Sequence, residues 1–287
     1  MTGNAPRPTT ANPPSSEGGF AVVVVAAGSG TRLGHGIPKA LVALDGRPLL
    51  EHALRGIRGA GLTGPVLVTV PAGDRELSAT ARAHGARPVT GGASRAESVR
   101  EALSELARSE TACTAVLVHD AARCLTPPEV FRTVVDRLRA GARAVVPVLP
   151  VADTMRRVDD AGRSLGTVDR TVLRAVQTPQ GFDLALLRAV NRAAADAGTD
   201  PESVTDDASL VEAHAPGTTV LTVPGHEHAF KITRPLDLVL AEAVLRGRAP
   251  GAAAVPVTAG TPAAAAPMPG LPDPDRPGPD RPGPEER

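Results

Sequence analysis

Glycines and two cations lie close together in the stretch AAGSGTRLGHGIPKAL, residues 26–41. Backbone N–H groups of a glycine-rich turn can gather around phosphate oxygens, and Arg32 and Lys39 add positive charge. The stretch departs from the dinucleotide fingerprint because Leu33 stands at the position of the third glycine, and from Walker A because Ala40 follows the lysine. We therefore predict a longer, open loop that binds a triphosphate. The alternative is a structural loop with surface charges.

Lysine is rare in this chain. Of 31 basic side chains, only Lys39 and Lys231 are lysines, and the others are arginines. A compact ammonium group differs from a guanidinium in shape, hydration and donor geometry. The pattern predicts that each lysine has a role that arginine does not fill, and codon bias with two random survivors is the alternative.

Composition favours a cytoplasmic protein that binds neither nucleic acid nor membrane. The 287 residues carry a formal net charge of zero, whereas affinity for a phosphate backbone requires a basic surface. No apolar run approaches the roughly 18 to 20 residues of a membrane span, and the polar N-terminal stretch lacks the apolar core of a signal peptide. Cys113 and Cys124 have no CxxC or Cys/His-rich neighbourhood, which indicates neither a disulfide framework nor a zinc site.

Three regions of the chain differ in composition. Residues 1–19 are rich in proline, serine, threonine and glycine, and residues 249–287 are a proline-, alanine- and glycine-rich stretch of low complexity. Such segments cannot bury enough apolar surface to offset the entropy of ordering, so both are predicted to be disordered. Residues 20–248 are predicted to form the functional domain.

Strand and helix patterns alternate between these two ends. The apolar, β-branched run FAVVVVAA (20–27) is typical of a strand buried on both faces of a parallel sheet. Further strands are predicted at 65–70, 114–123, 142–151 and 218–223. Helices are predicted at 48–61, 94–109, 127–141, 183–197, 206–214 and 235–247. The alternation predicts an α/β fold, a Rossmann-like, doubly wound and mostly parallel sheet with helices on both faces.

Residues 151–176 break this alternation. They contain short β-like pieces around the turn DDAG and no clear helix. We predict that they form a projecting β-arm. The arm would rest on a partner subunit, which would make the protein a dimer, or lie as a flap on its own domain.

A charged pair follows the predicted strand 114–123. Ligands of open α/β sheets bind at the carboxyl ends of the strands, where VHDAAR places Asp120 and Arg123. Asp120 could hydrogen-bond a substrate hydroxyl or support Mg²⁺ through water. Arg123 could pair with a phosphate or only with Asp120, and a structural ion pair is the simpler interpretation of the two residues taken alone.

Several motifs together resemble one enzyme family. The pattern A-A-G-x-G-x-R followed by Pro-Lys resembles nucleotidyltransferases that couple a nucleoside triphosphate to a sugar or polyol phosphate. The later motifs are GGASRAESV (91–99), VHDAAR (118–123), DTMRR (153–157), TVDR (167–170), QTPQGF (177–182), TDDASLVE (205–212) and KITRPLDL (231–238). In this order, and over residues 20–248, they resemble the 2-C-methyl-D-erythritol 4-phosphate cytidylyltransferases of the non-mevalonate isoprenoid pathway.

The resemblance implies attack of a substrate phosphate on the α-phosphorus of CTP, with release of pyrophosphate. A phosphate monoester is already ionised near neutrality, since its second pKa is about 6, so a general base is not required. Preorganised positive charge would carry the catalysis. The resemblance gives this role to Arg32 and Lys39, together with Mg²⁺ or another divalent cation. The implied nucleotide-binding residues are Ala26, Ala27, Gly28, Gly30, Gly92, Arg95 and Ser98.

The polyol phosphate would be held by a second set of residues, with no certain protein ligand for the metal. The implied substrate-binding residues are Asp120, Arg123, Thr154, Arg170, Thr205 and Lys231. Among these, Arg170 and Lys231 are also predicted to be catalytic. The family forms homodimers in which the arm completes the neighbour's site, so Thr154 and Arg170 would act in trans.

Three other functions are compatible with parts of the sequence. A ribitol 5-phosphate cytidylyltransferase would share the CTP loop and differ in the substrate pocket. An NAD-dependent oxidoreductase is disfavoured by the glycine spacing and by Pro38-Lys39. A non-catalytic binding protein with the same fold is disfavoured by the presence of both cations of the loop.

Overall fold

The computed structural model describes residues 19–28, 37–109 and 112–248. Its strands are β1 (Gly19–Val25), β2 (Ala43–Leu44), β3 (Arg47–Pro48), β4 (Val66–Val70), β5 (Arg87–Thr90), β6 (Cys113–Asp120), β7 (Ala144–Pro150), β8 (Met155–Val158), β9 (Ser164–Val168), β10 (Arg174–Val176), β11 (Gln180–Asp183) and β12 (Val220–Pro224). Its α-helices are α1 (Leu49–Gly59), α2 (Arg75–Ala83), α3 (Arg95–Arg108), α4 (Pro128–Arg139), α5 (Leu184–Asp196), α6 (Asp207–His214) and α7 (Pro235–Arg248).

The main sheet is mostly parallel. Strands β5, β4, β1 and β6 lie side by side and run in the same direction. The antiparallel strand β11 lies between β6 and β7. Beside β11, the antiparallel strand β10 pairs with residues 148–150 at the end of β7. On the opposite edge of β7, β12 runs parallel to it. The predicted α/β class and the predominance of parallel pairing are therefore confirmed, and β10 and β11 are the antiparallel strands of this sheet.

Helices cover both faces of this sheet. The apolar residues of α1, α2 and α4 pack on one face, and those of α3, α5 and α6 pack on the other. Between these layers, Ala21, Val22, Val23 and Val24 of β1 are completely buried. Removing a side chain of this size from water contributes about 1.5–3 kcal/mol. A continuous apolar run therefore forms the central strand, as predicted for a strand with helices on both of its faces.

A smaller apolar cluster fixes the segment that carries Lys231. Ile232 is 1% exposed and packs with β2, α1 and α7. Its backbone N–H donates to the carbonyl oxygen of Ala122 at 2.9 Å. The residue beside Lys231 is thus anchored to the loop that follows β6.

The predicted arm contains a separate antiparallel hairpin. Strands β8 and β9 pair with each other, and the main sheet of the described residues does not include them. The prediction extended the arm to residue 176, but residues 174–176 form β10 and pair with β7. The arm is therefore shorter at this end than predicted, because three of its residues find hydrogen-bond partners in the main sheet. Its projection toward a partner stays a prediction.

Both predicted disordered ends fall almost entirely outside the described residues. Only Gly19 of the first segment is described, and it belongs to β1 and pairs with β6. Gly19 therefore does not belong to a disordered segment, and the predicted domain boundaries stay predictions. Among the described helices, none has both the length and the apolar character needed to cross a membrane.

Candidate active site

A cleft opens at the carboxyl end of β6 and extends along β7 and the first residues of β12. Its volume is about 460 Å³. The sequence-predicted residues that line it are Arg95, Asp120, Arg123, Thr205 and Lys231. Because α3, β6, the loop after β6 and two later loops supply these residues, the fold brings together side chains that are far apart in the sequence.

Asp120 lies at the centre of the charged part of this cleft. One carboxylate oxygen, Oδ1, lies 3.2 Å from Arg95 Nε, and the other, Oδ2, lies 2.8 Å from Lys231 Nζ. The residue is only 7% exposed. Burial alone would raise the pKa of this carboxyl, but the charges of Arg95 and Lys231 outweigh burial and hold the pKa far below its usual range. Asp120 is therefore an anion between two cations.

The backbone of Asp120 is also fixed. Its N–H donates to Thr178 Oγ1 at 3.1 Å, and the same oxygen lies 3.0 Å from His119 Nδ1. Both Thr178 and His119 are buried. Asp120 is therefore held by the hydrogen bond of its backbone N–H as well as by the ion pairs of its carboxylate oxygens. Both kinds of contact limit the motion of the carboxylate within the cleft.

Arg95 contacts a second carboxylate that the sequence analysis did not assign. Its Nη2 lies 2.8 Å from Asp207 Oδ2, while its Nε contacts Asp120. Burial would lower the pKa of the Arg95 guanidinium, but Asp207 and Asp120 raise it further above its ordinary value, so the group is permanently charged. The predicted contact of Arg95 with the nucleotide stays a prediction.

Arg123 contacts main-chain carbonyl groups. Its Nη1 donates to the oxygen of Ala229 at 2.8 Å and its Nη2 to that of Val176 at 3.1 Å. Its Nε lies 4.0 Å from Asp120 Oδ2. The guanidinium therefore links the end of β6 to β10 and to the loop before Lys231, in addition to the weak ion pair that the sequence had suggested.

The end of β1 meets the beginning of α3. A Cβ atom placed on Gly91 would lie 2.9 Å from Ala27 Cβ and 2.7 Å from Ser98 Oγ, so only glycine fits in this close approach. Ser98 is buried and donates to the carbonyl oxygen of Ser94 at 2.9 Å. The structure thus brings Ala27 and Ser98 together against Gly91, next to Gly92. Ala26 and Gly28 flank Ala27 at the end of β1.

A capping box fixes the first turn of α3. Ser94 Oγ accepts the N–H of Glu97 at 3.1 Å, and Glu97 Oε2 accepts the N–H of Ser94 at 3.0 Å. This reciprocal pair was predicted from the spacing of Ser94 and Glu97. It holds Arg95 and Ser98 at the mouth of the cleft and at the end of β1, respectively.

The opening loop is described only in part. Lys39 is half-buried and begins a short 3₁₀ helix, Lys39–Leu41, directly after Pro38. Gly30 and Arg32 lie outside the described residues, so the predictions that concern them stay predictions.

Two predicted substrate-binding residues lie at the base of the β8–β9 hairpin. Thr154 precedes β8 and Arg170 follows β9, and both are exposed. Arg170 donates to the carbonyl oxygen of Ala152. Neither is among the described residues that line the cleft of this chain. The prediction that Thr154 and Arg170 act in the site of a neighbouring subunit is compatible with this position and stays a prediction.

Sequence reasoning left the supporting residues Thr178, Gln180 and Asp207 without roles. Their motifs, QTPQGF and TDDASLVE, were recognised as family patterns, but a single polar residue in a motif does not indicate which partner it meets. Gln180 and Asp207 are buried, at 0% and 1% exposure. Two polar residues buried so deeply are expected to have structural or functional partners.

A divalent metal would have few protein ligands among the described residues. They contain no group of three or more His, Cys, Asp or Glu side chains able to hold a metal ion. Mg²⁺ commonly takes only one or two carboxylates and completes its shell with water and substrate phosphates. Asp120 is ionised and lines the cleft, but its oxygens already contact Arg95 and Lys231. It could therefore support such an ion through water.

A Rossmann-like α/β sheet with a charged cleft at the carboxyl end of β6 agrees with a nucleotidyltransferase. A model of the 2-C-methyl-D-erythritol 4-phosphate cytidylyltransferase family matches residues 20–247. The chain belongs to this family.

Individual relatives agree with the family match. The 2-C-methyl-D-erythritol 4-phosphate cytidylyltransferase of Saccharopolyspora erythraea is 51% identical over 227 residues, which cover 78% of this chain and 97% of the relative. The crystal structure of the enzyme of that name from Thermus thermophilus is 37% identical, with a TM-score of 0.64 and coverage of 78% of this chain and 98% of the other. The 4-diphosphocytidyl-2C-methyl-D-erythritol synthase of Anaerococcus prevotii is 26% identical, with a TM-score of 0.68 and coverage of 80% and 99%. These matches favour the methylerythritol phosphate enzymes over the ribitol phosphate and NAD-dependent alternatives.

Proposed function

We propose that this chain transfers a cytidylyl group from CTP to 2-C-methyl-D-erythritol 4-phosphate, giving 4-diphosphocytidyl-2-C-methyl-D-erythritol and pyrophosphate. Family membership over residues 20–247 supports the reaction. The observation that carries the assignment of the site is the ionised Asp120 between Arg95 and Lys231, in a cleft at the carboxyl end of β6. Ligands of open α/β sheets bind at this edge.

The reaction is a direct displacement. An oxygen of the substrate phosphate attacks the α-phosphorus of CTP, a new P–O bond forms, and the bond between the α-phosphorus and the bridging oxygen breaks with release of pyrophosphate. The attacking monoester is ionised near neutrality, so proton abstraction is not needed. The main barrier is the approach of two anions, which fixed cations lower by stabilising charge on the transferring group and the leaving pyrophosphate.

Each set of residues serves one part of this reaction. Backbone groups of Ala26, Ala27 and Gly28 bind the cytosine from one side, and Gly92 and Ser98 bind it from the other. The meeting of β1 with the first turn of α3 supports this assignment. The triphosphate lies along the loop, where Gly30, Arg32 and Lys39 bind it. Mg²⁺ bound with CTP would neutralise part of its phosphate charge.

The polyol phosphate occupies the charged part of the cleft. Lys231 binds the phosphate and Asp120 accepts a hydrogen bond from a hydroxyl group, while Thr205 on the cleft wall completes the subsite. Arg123 holds the walls of the subsite through its contacts with Val176 and Ala229. A lysine suits the phosphate because its compact ammonium group acts as a point charge toward the phosphate oxygens.

The protein acts as a cytoplasmic homodimer in this proposal. The hairpin of one subunit brings Thr154 and Arg170 to the cleft of its neighbour, where they hold the substrate phosphate. Exposure of both residues and their position outside the cleft of their own chain support the arrangement. A chain with only two cysteines and no disulfide-rich pattern is typical of a reducing compartment.

Pyrophosphate release tests the proposal. The purified protein is given CTP and Mg²⁺ with either methylerythritol phosphate or ribitol 5-phosphate, and Lys39→Ala is measured in parallel. We expect turnover with methylerythritol phosphate and a loss of about 100-fold or more in kcat for the variant. Turnover with ribitol 5-phosphate alone would keep the displacement mechanism and reject the substrate. No release with either would reject the assigned reaction.

A further inference from the structure

A buried carboxylate that the proposed chemistry does not use lies next to the reacting groups. Asp207 is 1% exposed, and its Oδ2 lies 2.8 Å from Arg95 Nη2. Arg95 in turn contacts Asp120 through Nε at 3.2 Å. Asp207 does not line the cleft formed by the described residues, so it can influence the substrate only through the residues it touches.

The position of Asp207 is fixed by a neighbouring strand. Gln180 of β11 is completely buried, and its Oε1 accepts the backbone N–H groups of Asp207 at 3.1 Å and Ala208 at 3.2 Å. Its Nε2 donates to Asp206 Oδ2 at 2.8 Å. One side chain therefore holds the first turn of α6 to the main sheet. A carboxylate placed so rigidly can hold its partner in one orientation.

Acidic and basic side chains alternate from Asp207 through Arg95 and Asp120 to Lys231. Burial raises the pKa of the Asp207 carboxyl, and the adjacent Arg95 guanidinium opposes this rise and favours the charged form. A guanidinium can bind one carboxylate through two parallel hydrogen bonds. Here two different carboxylates share the Nε and Nη2 atoms of Arg95. Asp207 thereby occupies Nη2 of Arg95, which Asp120 would otherwise contact. Oδ2 of Asp120 stays available to Lys231 at 2.8 Å.

We propose that Asp207 is a positioning residue that acts through Arg95 to orient the Asp120 carboxylate and Lys231 for the polyol phosphate. Without its charge, Arg95 has one carboxylate partner left and draws both oxygens of Asp120 toward itself. Lys231 then loses its partner and its fixed position. The inference rests on the proposed substrate contacts of Asp120 and Lys231.

The test is Asp207→Asn, which removes the charge and keeps the shape of the side chain. We expect the KM for methylerythritol phosphate to rise about tenfold while the KM for CTP changes by less than about twofold. Glu105→Gln is the matched control, because Glu105 is a buried carboxylate of α3 that pairs with Arg87 and Arg108 away from the cleft. This control should leave both KM values unchanged.

A purely structural ion pair would give a different result. In that case Asp207→Asn lowers the thermal midpoint, as Glu105→Gln does, and the folded enzyme keeps both KM values, which overturns the proposal. Arg95→Lys is the second variant and carries the test if Asp207→Asn does not fold, since one ammonium cannot serve both carboxylates in the same way. It should raise the KM for methylerythritol phosphate selectively. A selective rise in the KM for CTP would assign Arg95 to the nucleotide and overturn the proposal.

Lys231→Ala separates failure of this inference from failure of the proposed site. If Lys231→Ala raises the KM for methylerythritol phosphate and Asp207→Asn does not, only the positioning role is rejected. If Lys231→Ala leaves this KM unchanged, the proposed substrate contact is wrong and the positioning role is rejected with it.

Discussion

Asp120 divides its two carboxylate oxygens between cations from distant parts of the chain. Arg95 and Lys231 each contact a different oxygen of this buried group. Loss of either cation leaves a buried charge only partly compensated, which is more costly than the loss of an exposed ion pair. Substitutions of the two cations should therefore affect each other through Asp120, and their effects are not expected to add.

His119 makes stability depend on pH. Burial is the main cause that lowers the pKa of its imidazole from 6.5 to about 4. Between these values the unfolded chain binds a proton that the folded chain does not, so the free energy of unfolding falls as the pH falls. The stabilisation that comes from keeping His119 neutral in the folded chain is fully present above pH 6.5 and is lost progressively toward pH 4. It amounts to about 3 kcal/mol of the free energy of unfolding.

We expect His119→Asn to remove this dependence. The shorter side chain keeps a polar atom near the position of Nδ1, which lies beside Thr178 Oγ1. Urea unfolding should be measured for both proteins from pH 7 to pH 4. The difference between their free energies of unfolding should narrow as the pH falls, because only the unsubstituted protein loses stability through protonation of His119. A difference that stays constant across this range would contradict the prediction.

At the scale of elements, the first turn of α3 should connect stability to the proposed nucleotide binding. The capping box formed by Ser94 and Glu97 holds the turn that carries Arg95 and Ser98. Ser94→Ala removes the acceptor of the Glu97 N–H and should lower the free energy of unfolding by about 1 kcal/mol. It should also raise the KM for CTP severalfold, measured by pyrophosphate release.

Thr133→Ala is the matched control for this substitution. Its hydroxyl lies on α4, is exposed, and donates to the Glu129 carbonyl oxygen within the same helix. The control should change neither the unfolding free energy by a comparable amount nor the KM for CTP. Equal effects of both variants would mean that the capping box has no special role.

The elements that the sequence predicted share a strong pattern. The strands β1, β4 and β6 are apolar runs, and α1, α3 and α4 place their apolar residues on one side. Strand β5 was missed because it is short and contains Pro88, which is tolerated here because the strand forms an edge of the sheet. Helix α2 was missed because only Leu77 and Ala81 are buried, too few to give a clear helical period.

The site was predicted less completely than the fold. The ends of strands and the family motifs pointed to Asp120, Arg123 and Lys231, which the structure brings to one cleft. The ion pair of Arg95 with Asp207 was not foreseen, because it joins the first turns of two helices that only tertiary packing brings together. Neither local period nor residue type carries that information.

At the scale of the whole molecule, the hairpin leaves apolar side chains in contact with solvent. Val158 and Leu165 of the hairpin are 60% and 56% exposed, and Val172, in the short 3₁₀ helix that follows β9, is 75% exposed. Burying several such residues against another subunit would remove this surface from water. The exposed apolar residues support the proposed dimer, in which the hairpin reaches the neighbouring cleft.

Mixing two inactive variants tests whether the arm acts in trans. Lys39→Ala damages the loop of a site, and Arg170→Ala damages the arm that the same chain donates. If subunits exchange freely in an equal mixture, half of the dimers are mixed and each has one site without either defect, so about one quarter of the sites should regain activity. Action of the arm in its own subunit predicts no recovery, measured as pyrophosphate release after incubation of the mixture.

The scarcity of lysine gives this enzyme two chemically addressable positions. Lys39 follows Pro38 at the end of the glycine-rich loop, and Lys231 contacts Asp120 in the cleft. Reductive methylation with ¹³C-formaldehyde would place an NMR-visible label on each of these side-chain amines and on no other side chain. One resonance would then follow the proposed nucleotide subsite and the other the proposed polyol phosphate subsite, so the order in which the two substrates bind could be observed in a single titration.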